Sequence, residues 1–395
     1  MARSSIGLDI GSRSVSLAEV STSGGKPVLT RFGRTLLPPG AVEHGEVQDP
    51  AVVASTITSL WRKLGLNGRS VHLAISNRRV VVRVIEMPVM SKDDMGSAIR
   101  FQAQEHIPIP LDEAVLDFEP LDEVQRPDGN IQHVLVVAAE RGTIQPSLEA
   151  LKMAKLEALT LELSSYPLVR VFGDKTSSGS EAIVDIGAGV TNIVVQEGGK
   201  IRFTRILPAF GGDEFTRAVT EALGVSRDEA ETLKRRASAL LRTRDASQSR
   251  VRSHASVRTS RATTNDELVT SESGDVSTEH PLHTNGSTPA AQIEAAADAI
   301  EPGLERFVTE IRGSLDFYTS QPDAADLKRV VVTGGGSLMG GIVERLSGSL
   351  GIPVEHGNPF DRVPIGKIKV TPEEMSVAEP FIGLAVGLAL AEVNR

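Results

Sequence analysis

Several residue types are scarce in this chain, and their scarcity narrows what the protein can be. The sequence contains no cysteine, which excludes disulfides, thiolate metal sites and a cysteine nucleophile and fits a reducing cytoplasm. Aromatic residues make up only 4% of the chain. We therefore expect a core built mainly from Val, Ile, Leu and Ala.

Long apolar runs and secretory signals are also missing. The longest apolar run, FIGLAVGLALA at 381–391, is shorter than the roughly 20 residues that cross a bilayer, so we expect a buried terminal helix there. The first residues, MARSSIGLDIG at 1–11, lack the apolar stretch of a signal peptide. These absences lead us to expect a soluble, cytoplasmic protein.

Basic residues are not in surplus either. The net charge of −9 argues against generic nucleic-acid binding, which needs an excess of Lys and Arg to neutralise phosphates. The chain has 395 residues, which is more than one compact core usually holds. Two domains or lobes are therefore expected.

Three glycine-rich turns each follow an apolar stretch that predicts a strand. They are LDIGSRS at 8–14, VDIGAGVTN at 184–192 and VVVTGGGSLM at 330–339. Glycine permits positive φ and lets backbone N–H groups approach a bound phosphate closely. One such turn alone indicates only a tight hairpin, but two acidic copies and a third glycine turn together favour a nucleotide site.

Two common nucleotide motifs do not fit these turns. A Walker loop needs Lys after its last glycine, whereas Ser337 follows Gly336 and Ile342 follows Gly341. A dinucleotide fingerprint starting at Gly334 would need glycine where Met339 stands. The remaining interpretation is a pair of α/β lobes that clamp a nucleotide between two hairpins, with Asp9 and Asp185 facing Mg²⁺ through water.

The turns resemble the motifs of the actin-like ATPase superfamily. LDIGSRS is similar to the first phosphate motif, VDIGAGVTN to the second and VVVTGGGSLM to the adenosine motif, while AETLK at 230–234 and GGDEFT at 211–216 resemble further family segments. The resemblance implies an α/β fold of two ribonuclease H-like lobes that binds ATP and Mg²⁺. The nucleotide-binding residues that it implies are Asp9, Gly11, Ser12, Arg13, Ser14, Asp185, Gly187, Ala188, Gly189, Thr191, Asn192, Gly211, Gly212, Glu214, Glu231, Lys234, Gly334, Gly335, Gly336 and Leu338.

Within this superfamily, the chain most resembles the PilM family of type IV pilus assembly. The resemblance implies an inserted subdomain of the FtsA/PilM type, which actin lacks. It also implies a PilN-like inner-membrane partner, which would recruit the protein to the inner face of the cytoplasmic membrane. The partner's short cytoplasmic N-terminal tail would dock between the first lobe and the subdomain, along a helix at 91–106 and IPIPLDE at 107–113. The segments that carry the resemblance are GLDIGSRSVSLAEV at 7–20, residues 86–121, EIRGSLDFY at 310–318 and residues 330–360.

These assignments divide the chain into six expected segments. The expected boundaries are 1–80 for the N-terminal part of the first lobe, 81–160 for the inserted subdomain, 161–180 for a first-lobe return helix, 181–240 for the second lobe with its phosphate motif, 241–290 for an insertion, and 291–395 for the rest of the second lobe with the terminal helix.

The expected insertion differs in composition from the rest of the chain. Residues 241–262 carry six Arg and five Ser against one Asp, and an acidic stretch with few apolar residues follows. Such a segment buries too little apolar surface to offset its ordering entropy, so we expect 241–290 to be disordered. It is either a tolerated surface insertion or a tether to an anionic surface that phosphorylation would release.

We expect ATP hydrolysis to be slow or absent. Glu162, in LELSSYPLVR at 161–170, corresponds to a helical family position that orients the attacking water, although the same Glu would also suit a solvated helix face. Ser16 stands where actin carries a phosphate-binding Lys; Arg13 either supplies part of that charge or is simply exposed to solvent. The expected function is an ATP-dependent scaffold that binds the PilN-like partner and is also able to self-associate.

Two other functions remain open on the same fold. An FtsA-like division protein usually ends in a membrane-binding amphipathic helix after a linker, whereas this sequence stops at Arg395, directly behind the terminal helix. A small-metabolite kinase needs a catalytic Asp beside the first phosphate hairpin, and no Asp-rich sugar motif is found there. Both alternatives are therefore weaker than the scaffold.

Overall fold

The computed structural model describes residues 3–23, 26–127, 129–259, 288–366, 368 and 370–391. Its strands, in chain order, are β1 Arg3–Ile10, β2 Ser14–Ser23, β3 Lys26–Leu36, β4 Val42–Glu43, β5 Glu46–Val47, β6 Ser70–Ile75, β7 Val80–Pro88, β8 Ala114–Val124, β9 Ile131–Glu140, β10 Glu157–Leu163, β11 Ser180–Ile186, β12 Val190–Glu197, β13 Lys200–Pro208, β14 Leu327–Thr333 and β15 Val354–His356. Its α-helices are α1 Pro50–Leu64, α2 Lys92–His106, α3 Arg141–Met153, α4 Ser165–Phe172, α5 Gly212–Leu223, α6 Arg227–Thr259, α7 Pro289–Thr319, α8 Ile342–Leu350, α9 Pro359–Arg362 and α10 Pro372–Ala389.

The first lobe is built on a five-stranded sheet in the order β10-β6-β1-β2-β3. Strands β1 to β3 form an antiparallel meander, and β6 and β10 extend the sheet in parallel with β1. Helix α1 begins after Asp49, whose carboxylate accepts hydrogen bonds from the N–H groups of Ala51 and Val52, and it ends at Leu64, where Gly65 with φ 62° caps it. Helices α1 and α3 share a core with one face of this sheet.

The second lobe repeats this topology. Its sheet has the order β13-β12-β11-β14-β15, again with an antiparallel meander followed by two parallel strands. Helices α5 to α8 share one core with this sheet. In that core Phe215 and Phe307 pack with their ring centroids 6.0 Å apart. The two related α/β lobes predicted from the sequence are thus confirmed.

Two helices lie between the sheets. Helix α4, from the first half of the chain, packs on the sheet of the second lobe, and helix α10, from the end of the chain, packs on the sheet of the first lobe. Helix α4 contacts β12 and β13, whereas α10 contacts β1 and β2. A Cβ at Gly7 of β1 would lie 2.0 Å from the carbonyl oxygen of Ala385, and a Cβ at Gly387 would lie 2.1 Å from that of Pro167. The terminal helix is buried as predicted, but it completes the first lobe. Assigning all of 291–395 to the second lobe is therefore wrong.

A three-stranded antiparallel sheet in the order β7-β9-β8 forms the inserted subdomain together with α2. Met95 and Ile99 of α2 pack against Met87 and Val134 of this sheet. The expected insertion therefore exists, but its boundary at 160 is wrong. It ends with β9, because α3 packs on α1 and β10 joins the first sheet.

The expected return helix over 161–180 is also wrong in its extent. Strand β10 pairs with β6 from Glu157 to Leu163, so the chain becomes helical only in α4. The sequence EALTLEL of β10 is rich in good helix formers, and the long-range pairing with β6 overrides that local preference.

The insertion expected over 241–290 begins later than its composition predicts. Helix α6 continues to Thr259 instead of ending near residue 240. Asp245 is buried there, and both of its oxygens accept hydrogen bonds of 2.8 Å from Arg345 in α8. Disorder is thus a wrong prediction for 241–259, and residues 260–287 lie outside the described residues.

Candidate functional site

A cleft with a volume of about 780 Å³ lies between the two lobes, within the size range of small-molecule sites. The residues that line it come from the ends of strands in both sheets and from α6 and α10. The predicted nucleotide-binding residues among them are Asp9, Gly11, Ser12, Arg13, Ser14, Asp185, Gly187, Ala188, Gly189, Asn192, Gly212, Glu231, Lys234, Gly334, Gly335, Gly336 and Leu338. The three glycine turns found in the sequence therefore meet at one place.

The second phosphate turn, between β11 and β12, packs against the start of α5. The N–H of Gly187 donates to the carbonyl of Val190 at 2.9 Å, and the N–H of Gly212 donates to the carbonyl of Gly187 at 3.0 Å. A Cβ at Gly211 would lie 2.4 Å from the carbonyl oxygen of Ala188. Gly211 does not line the cleft, but its small size allows α5 to pack against the turn.

The two phosphate turns touch each other across the cleft. In the first turn, between β1 and β2, Ser12 lies so close to Gly189 that a Cβ there would be 2.6 Å from the serine Oγ. The hydroxyl of Ser76, at the end of β6, donates to the side-chain oxygen of Asn192. Asn192 in turn donates to Asp185 at 3.2 Å. The contact between the lobes is thus linked directly to an acidic residue of the site.

Asp9 and Asp185 provide two partly buried carboxyl groups in the cleft. Burial, together with the charge of Asp185, raises the pKa of Asp9 to about 7, and the charge of Arg34 opposes the shift. Burial also raises the pKa of Asp185 to about 6, against the hydrogen bond from Asn192. Two poorly solvated carboxyl groups of like charge favour a bound cation.

The donor set of this pair fits Mg²⁺ held through water. Among the described residues no group of three or more His, Asp and Glu side chains is arranged to hold a metal ion directly. Mg²⁺ usually keeps several of its waters and needs only one or two carboxylates in addition to phosphate oxygens. Asp9 and Asp185 can supply those carboxylates.

Two buried donors in the cleft have no hydrogen-bond partner in the described part of the protein. They are the hydroxyl of Thr333, at the end of β14, and the Nη1 group of Arg13. Buried polar groups are rarely left unpaired, because the loss costs about 1–3 kcal/mol each. A polar or anionic ligand in the cleft would satisfy both.

The third glycine turn packs closely on the second. Gly334 has φ 83°, and a Cβ there would lie 2.4 Å from the carbonyl oxygen of Ile186 and 2.6 Å from Oδ1 of Asp185. Gly335 lies against the ring of Phe381 in α10, which a Cβ would approach to 2.4 Å. Leu338 follows in the same turn and is 45% exposed. This turn thus offers an apolar surface beside the acidic pair.

Glu231 and Lys234 lie one helical turn apart on α6 and form an ion pair at 2.6 Å. Lys234 also donates to the carbonyl of Gly212 at 3.0 Å and to the hydroxyl of Thr216 at 2.8 Å. Burial opposes ionisation of Glu231, but the charge and hydrogen bond of Lys234 outweigh it and lower the pKa of Glu231 to about 2. Both side chains are thereby fixed at the wall of the cleft.

Three predicted site residues besides Gly211 do not line the cleft. The hydroxyl of Thr191 donates to the carbonyl of Phe210 at 2.7 Å, and Glu214 pairs with Arg306 at 2.7 Å. Glu162, expected on a helix, lies on β10 instead. Its carboxylate accepts hydrogen bonds from Arg170 and from the hydroxyl of Thr160.

Several residues that line the cleft were not predicted from the sequence. Arg34 comes from β3, where it lies directly opposite Ser16 in the register with β2. A correct prediction of that register would have placed it in the site, because cross-strand partners share a face of the sheet. The others carry no recognisable local signal; they include Ser76, Arg235, Ser238, Thr333 and Phe381.

Comparison with known families identifies this architecture. The model of the family described as type IV pilus assembly protein PilM matches residues 7–241, more than half of the chain. The chain belongs to the PilM family. A model of the cell division protein FtsA also matches residues 182–387, which cover the second lobe and most of α10. Matches to both families agree with the expected superfamily.

Solved structures resemble this PilM-family protein over nearly its whole length. A PilM–PilN type IV pilus biogenesis complex matches with 28% identity and a TM-score of 0.75, over 98% of this chain and 98% of that chain. The ethanolamine utilization protein EutJ from Carboxydothermus hydrogenoformans matches with 16% identity and a TM-score of 0.49, over 98% and 89%. MreB 5 of Spiroplasma citri bound to AMPPNP matches with 12% identity and a TM-score of 0.45, over 91% and 92%. The match to the PilM–PilN complex confirms the two-lobed actin-like fold with its inserted subdomain.

No helix in the described part of this PilM-family chain is both long and apolar enough to span a bilayer.

Proposed function

We propose that this protein is an ATP-binding scaffold of the inner-membrane platform that assembles type IV pili or a related type II secretion system. It would bind the cytoplasmic N-terminal tail of a PilN-like membrane protein. The observation that carries the proposal is the match to the PilM–PilN complex over 98% of the chain. In this proposal the partner recruits the protein to the inner face of the cytoplasmic membrane.

The arrangement of the cleft supports ATP and Mg²⁺ as its ligands. Backbone turns from both lobes face each other, two carboxyl groups with raised pKa values lie beside them, and two buried donors lack partners among the described residues. Phosphate groups would accept hydrogen bonds from the turns and from the donors. Mg²⁺ would balance the negative charges of the phosphates and carboxylates.

Slow or absent hydrolysis is part of the proposal. The residue expected to orient water, Glu162, is bound to Arg170 and Thr160 and is not among the residues that line the cleft. A general base must reach the proton that it removes, directly or through one water. The cleft is therefore better suited to holding ATP than to cleaving it quickly.

The surface proposed for the partner's tail includes α2 and residues 107–113. Phe101 of α2 is 72% exposed and Val89 is 44% exposed, while the opposite side of the helix packs Met95 and Ile99 into the subdomain core. Exposed apolar side chains of this kind are suited to contacting apolar side chains of a bound peptide.

Contacts between the cleft and the subdomain support a nucleotide-dependent affinity. Ser164 lines the cleft immediately before α4, and Tyr166 in α4 donates to Glu119 of β8. Arg202 of β13 forms a second link, because it pairs with Asp122 of β8 at 3.2 Å. A movement of the lobes on nucleotide binding would be carried to the subdomain through these contacts.

A titration with a synthetic peptide of a PilN-like N-terminal tail tests this function. We expect binding that tightens when ATP and Mg²⁺ are added, and an affinity lowered roughly thirtyfold by Phe101→Ala, as for an interface hot spot. Phe317→Ala is the matched control, since Phe317 is 60% exposed on α7 of the second lobe. Absence of affinity with and without ATP would refute the proposal.

An FtsA-like role in division is the second candidate, favoured by the match of the FtsA model to residues 182–387. That match omits the inserted subdomain, whereas the PilM–PilN match spans it. The same peptide titration separates the two, because only the first candidate requires affinity for the PilN-like tail.

A further inference from the structure

Four basic side chains line the described part of the cleft, and three of them lie beside acidic partners. Lys234 and Arg235 pair with Glu231 at 2.6 and 3.2 Å. The Nε of Arg13 lies 3.8 Å from Asp213. The fourth basic residue has no carboxylate within 4.0 Å among the described residues. No neighbouring carboxylate that the structure describes therefore pairs with its charge, which is available to a bound anion.

This fourth residue is Arg34, and its guanidinium is held from two sides. Its Nε donates to the hydroxyl of Ser14, the residue after the first phosphate turn, at 2.8 Å. Its Cζ lies 3.8 Å from the centroid of the Phe381 ring, and the same ring packs against Gly335 of the third turn. The two Nη groups of Arg34 make no hydrogen bond to any residue that the structure describes, so their donors are available to a ligand.

The register of the first sheet explains how Arg34 reaches this position. Arg34 in β3 lies directly opposite Ser16 in β2, and both line the cleft. Directly opposed residues of an antiparallel pair point to the same side of the sheet, with Cβ atoms about 5 Å apart. Because Ser16 is short, the long side chain of Arg34 can extend over it toward the first phosphate turn.

The electrostatic surroundings of Arg34 also favour an anion. Burial and the positive charge of Arg235 lower the pKa of Arg34, while Asp9 and Glu231 act in the opposite direction. Arg34 belongs to the first lobe and Arg235 to α6 of the second, so two like charges repel each other across the cleft. A polyanion between them would neutralise both charges and would favour closure of the lobes.

We propose that Arg34 is a phosphate-binding residue of the cleft, whose free Nη groups donate to the polyphosphate of the nucleotide. This inference rests on the proposed ATP binding and adds a residue that the sequence motifs do not contain. Arg34 would act beside Arg13, whose Nε lies 3.8 Å from Asp213 and whose Nη1 has no hydrogen-bond partner among the described residues. Because Arg34 would contact phosphate groups, its contribution to affinity should increase with the number of phosphates in the ligand.

Calorimetric titrations with ATP, ADP and adenosine, each with Mg²⁺, test this role in the full chain. Arg34→Gln is expected to lower ATP affinity about 10- to 100-fold, the range for charged hydrogen bonds. We expect a smaller loss for ADP and no change for adenosine. Arg34→Lys keeps the charge but lacks the planar guanidinium, so we expect its ATP affinity to lie between those of the wild type and Arg34→Gln. Arg31→Gln is the control, because Arg31 lies on the same strand, pairs with Glu19 and does not line the cleft.

The possible outcomes separate this inference from the function on which it rests. Equal ATP affinity of the wild type and Arg34→Gln, with matching thermal unfolding, would overturn the inference alone. An equal loss for ATP and adenosine would also overturn it, because Arg34 would then contact the base. A wild type that does not bind ATP would instead contradict the proposed function, and the role of Arg34 would fall with it.

Discussion

Gly189 of the second phosphate turn packs directly against Ser12 of the first. A Cβ at this position would lie 2.6 Å from Oγ of Ser12, 3.1 Å from its Cβ and 3.4 Å from the backbone nitrogen of His44. An added methyl group therefore requires the Ser12 hydroxyl to rotate and the tightly packed first turn to move by a few tenths of an ångström. We expect Gly189→Ala to weaken ATP binding by about 10- to 100-fold, because small misplacements of binding groups are costly. Calorimetric titration measures the affinity, and thermal unfolding checks the fold.

Gly313→Ala is the matched control for this change. Gly313 lies in α7, where a Cβ would meet nothing within 4 Å. The substitution is expected to raise the free energy of unfolding by up to about 1 kcal/mol and to leave ATP affinity unchanged. Wild-type affinity in Gly189→Ala would show that the two turns do not need to touch.

The acidic pair predicts a pH dependence with a definite sign. The pKa of Asp9 is raised from 3.8 to about 7 and that of Asp185 to about 6. Both carboxyls therefore favour the folded state when protonated, and their contribution to stability is lost as pH rises from about 4 to about 7. Mg²⁺ bound at the proposed site would compete with these protons. We expect the rise in unfolding temperature caused by Mg²⁺ to be small at pH 5.5 and to grow toward pH 8.

Thermal unfolding with and without Mg²⁺ across this pH range measures the effect. In Asp9→Asn the pH dependence of the Mg²⁺ effect is expected to shrink, because one of the two titrating groups is gone. A stabilisation by Mg²⁺ of equal size at pH 5.5 and pH 8 would exclude the carboxyl pair as the cation site.

At the scale of single elements, helix α4 connects the cleft to the inserted subdomain. The hydroxyl of Tyr166 donates to Glu119 of β8, while Ser165 is hydrogen-bonded to Thr204 of β13. We expect Tyr166→Phe to leave ATP affinity unchanged but to reduce the gain in peptide affinity that ATP causes. Fluorescence titration of the tail peptide with and without ATP measures this gain.

Tyr318→Phe provides the control for the Tyr166 prediction. Tyr318 is buried in the core of the second lobe, next to Phe203, and is the other tyrosine of the chain. Its substitution is expected to preserve the full effect of ATP on peptide binding. If Tyr166→Phe also preserved that effect, α4 would not be the connection.

Elements with strong local signals were predictable from the sequence, and those set by distant contacts were not. The turns at Gly11, Gly187 and Gly334 could be located because each follows a run of apolar residues and ends in small or polar ones. Strand β10 was mistaken for helix because only its pairing with β6 makes it extended. Because β10 was taken for a helix, Glu162 was assigned to the site. Arg34 was missed because its position in the cleft depends on the register of β2 and β3.

The composition of the 241–290 segment did not predict how far α6 extends. Its Arg and Ser content does not reveal that Asp245 would pair with Arg345 of α8, a residue 100 positions away, and hold α6 in place beyond residue 240. Likewise, no local pattern in α10 indicates that Gly387 would pack on Pro167. Tertiary packing decided both features.

At the scale of the whole molecule, two sheets of the same topology place two acidic turns face to face across one cleft. Helices α4 and α10 lie between the sheets, so a change in the angle between the lobes must also shift these helices. The inserted subdomain is attached to the first sheet and touches β13 of the second lobe. The architecture is thus suited to converting occupancy of the cleft into a change at the surface proposed for the partner.

Calorimetric titration of ATP with Mg²⁺ into the wild type and Asp9→Asn shows whether the two acidic turns form one nucleotide site. We expect binding of one nucleotide per chain to the wild type, and an affinity lowered about 10- to 100-fold in the variant. Asp316→Asn, at an exposed position of α7 paired with Arg312, is expected to bind like the wild type. Equal ATP affinity in the wild type and Asp9→Asn would contradict the central claim that the two acidic turns form one nucleotide site.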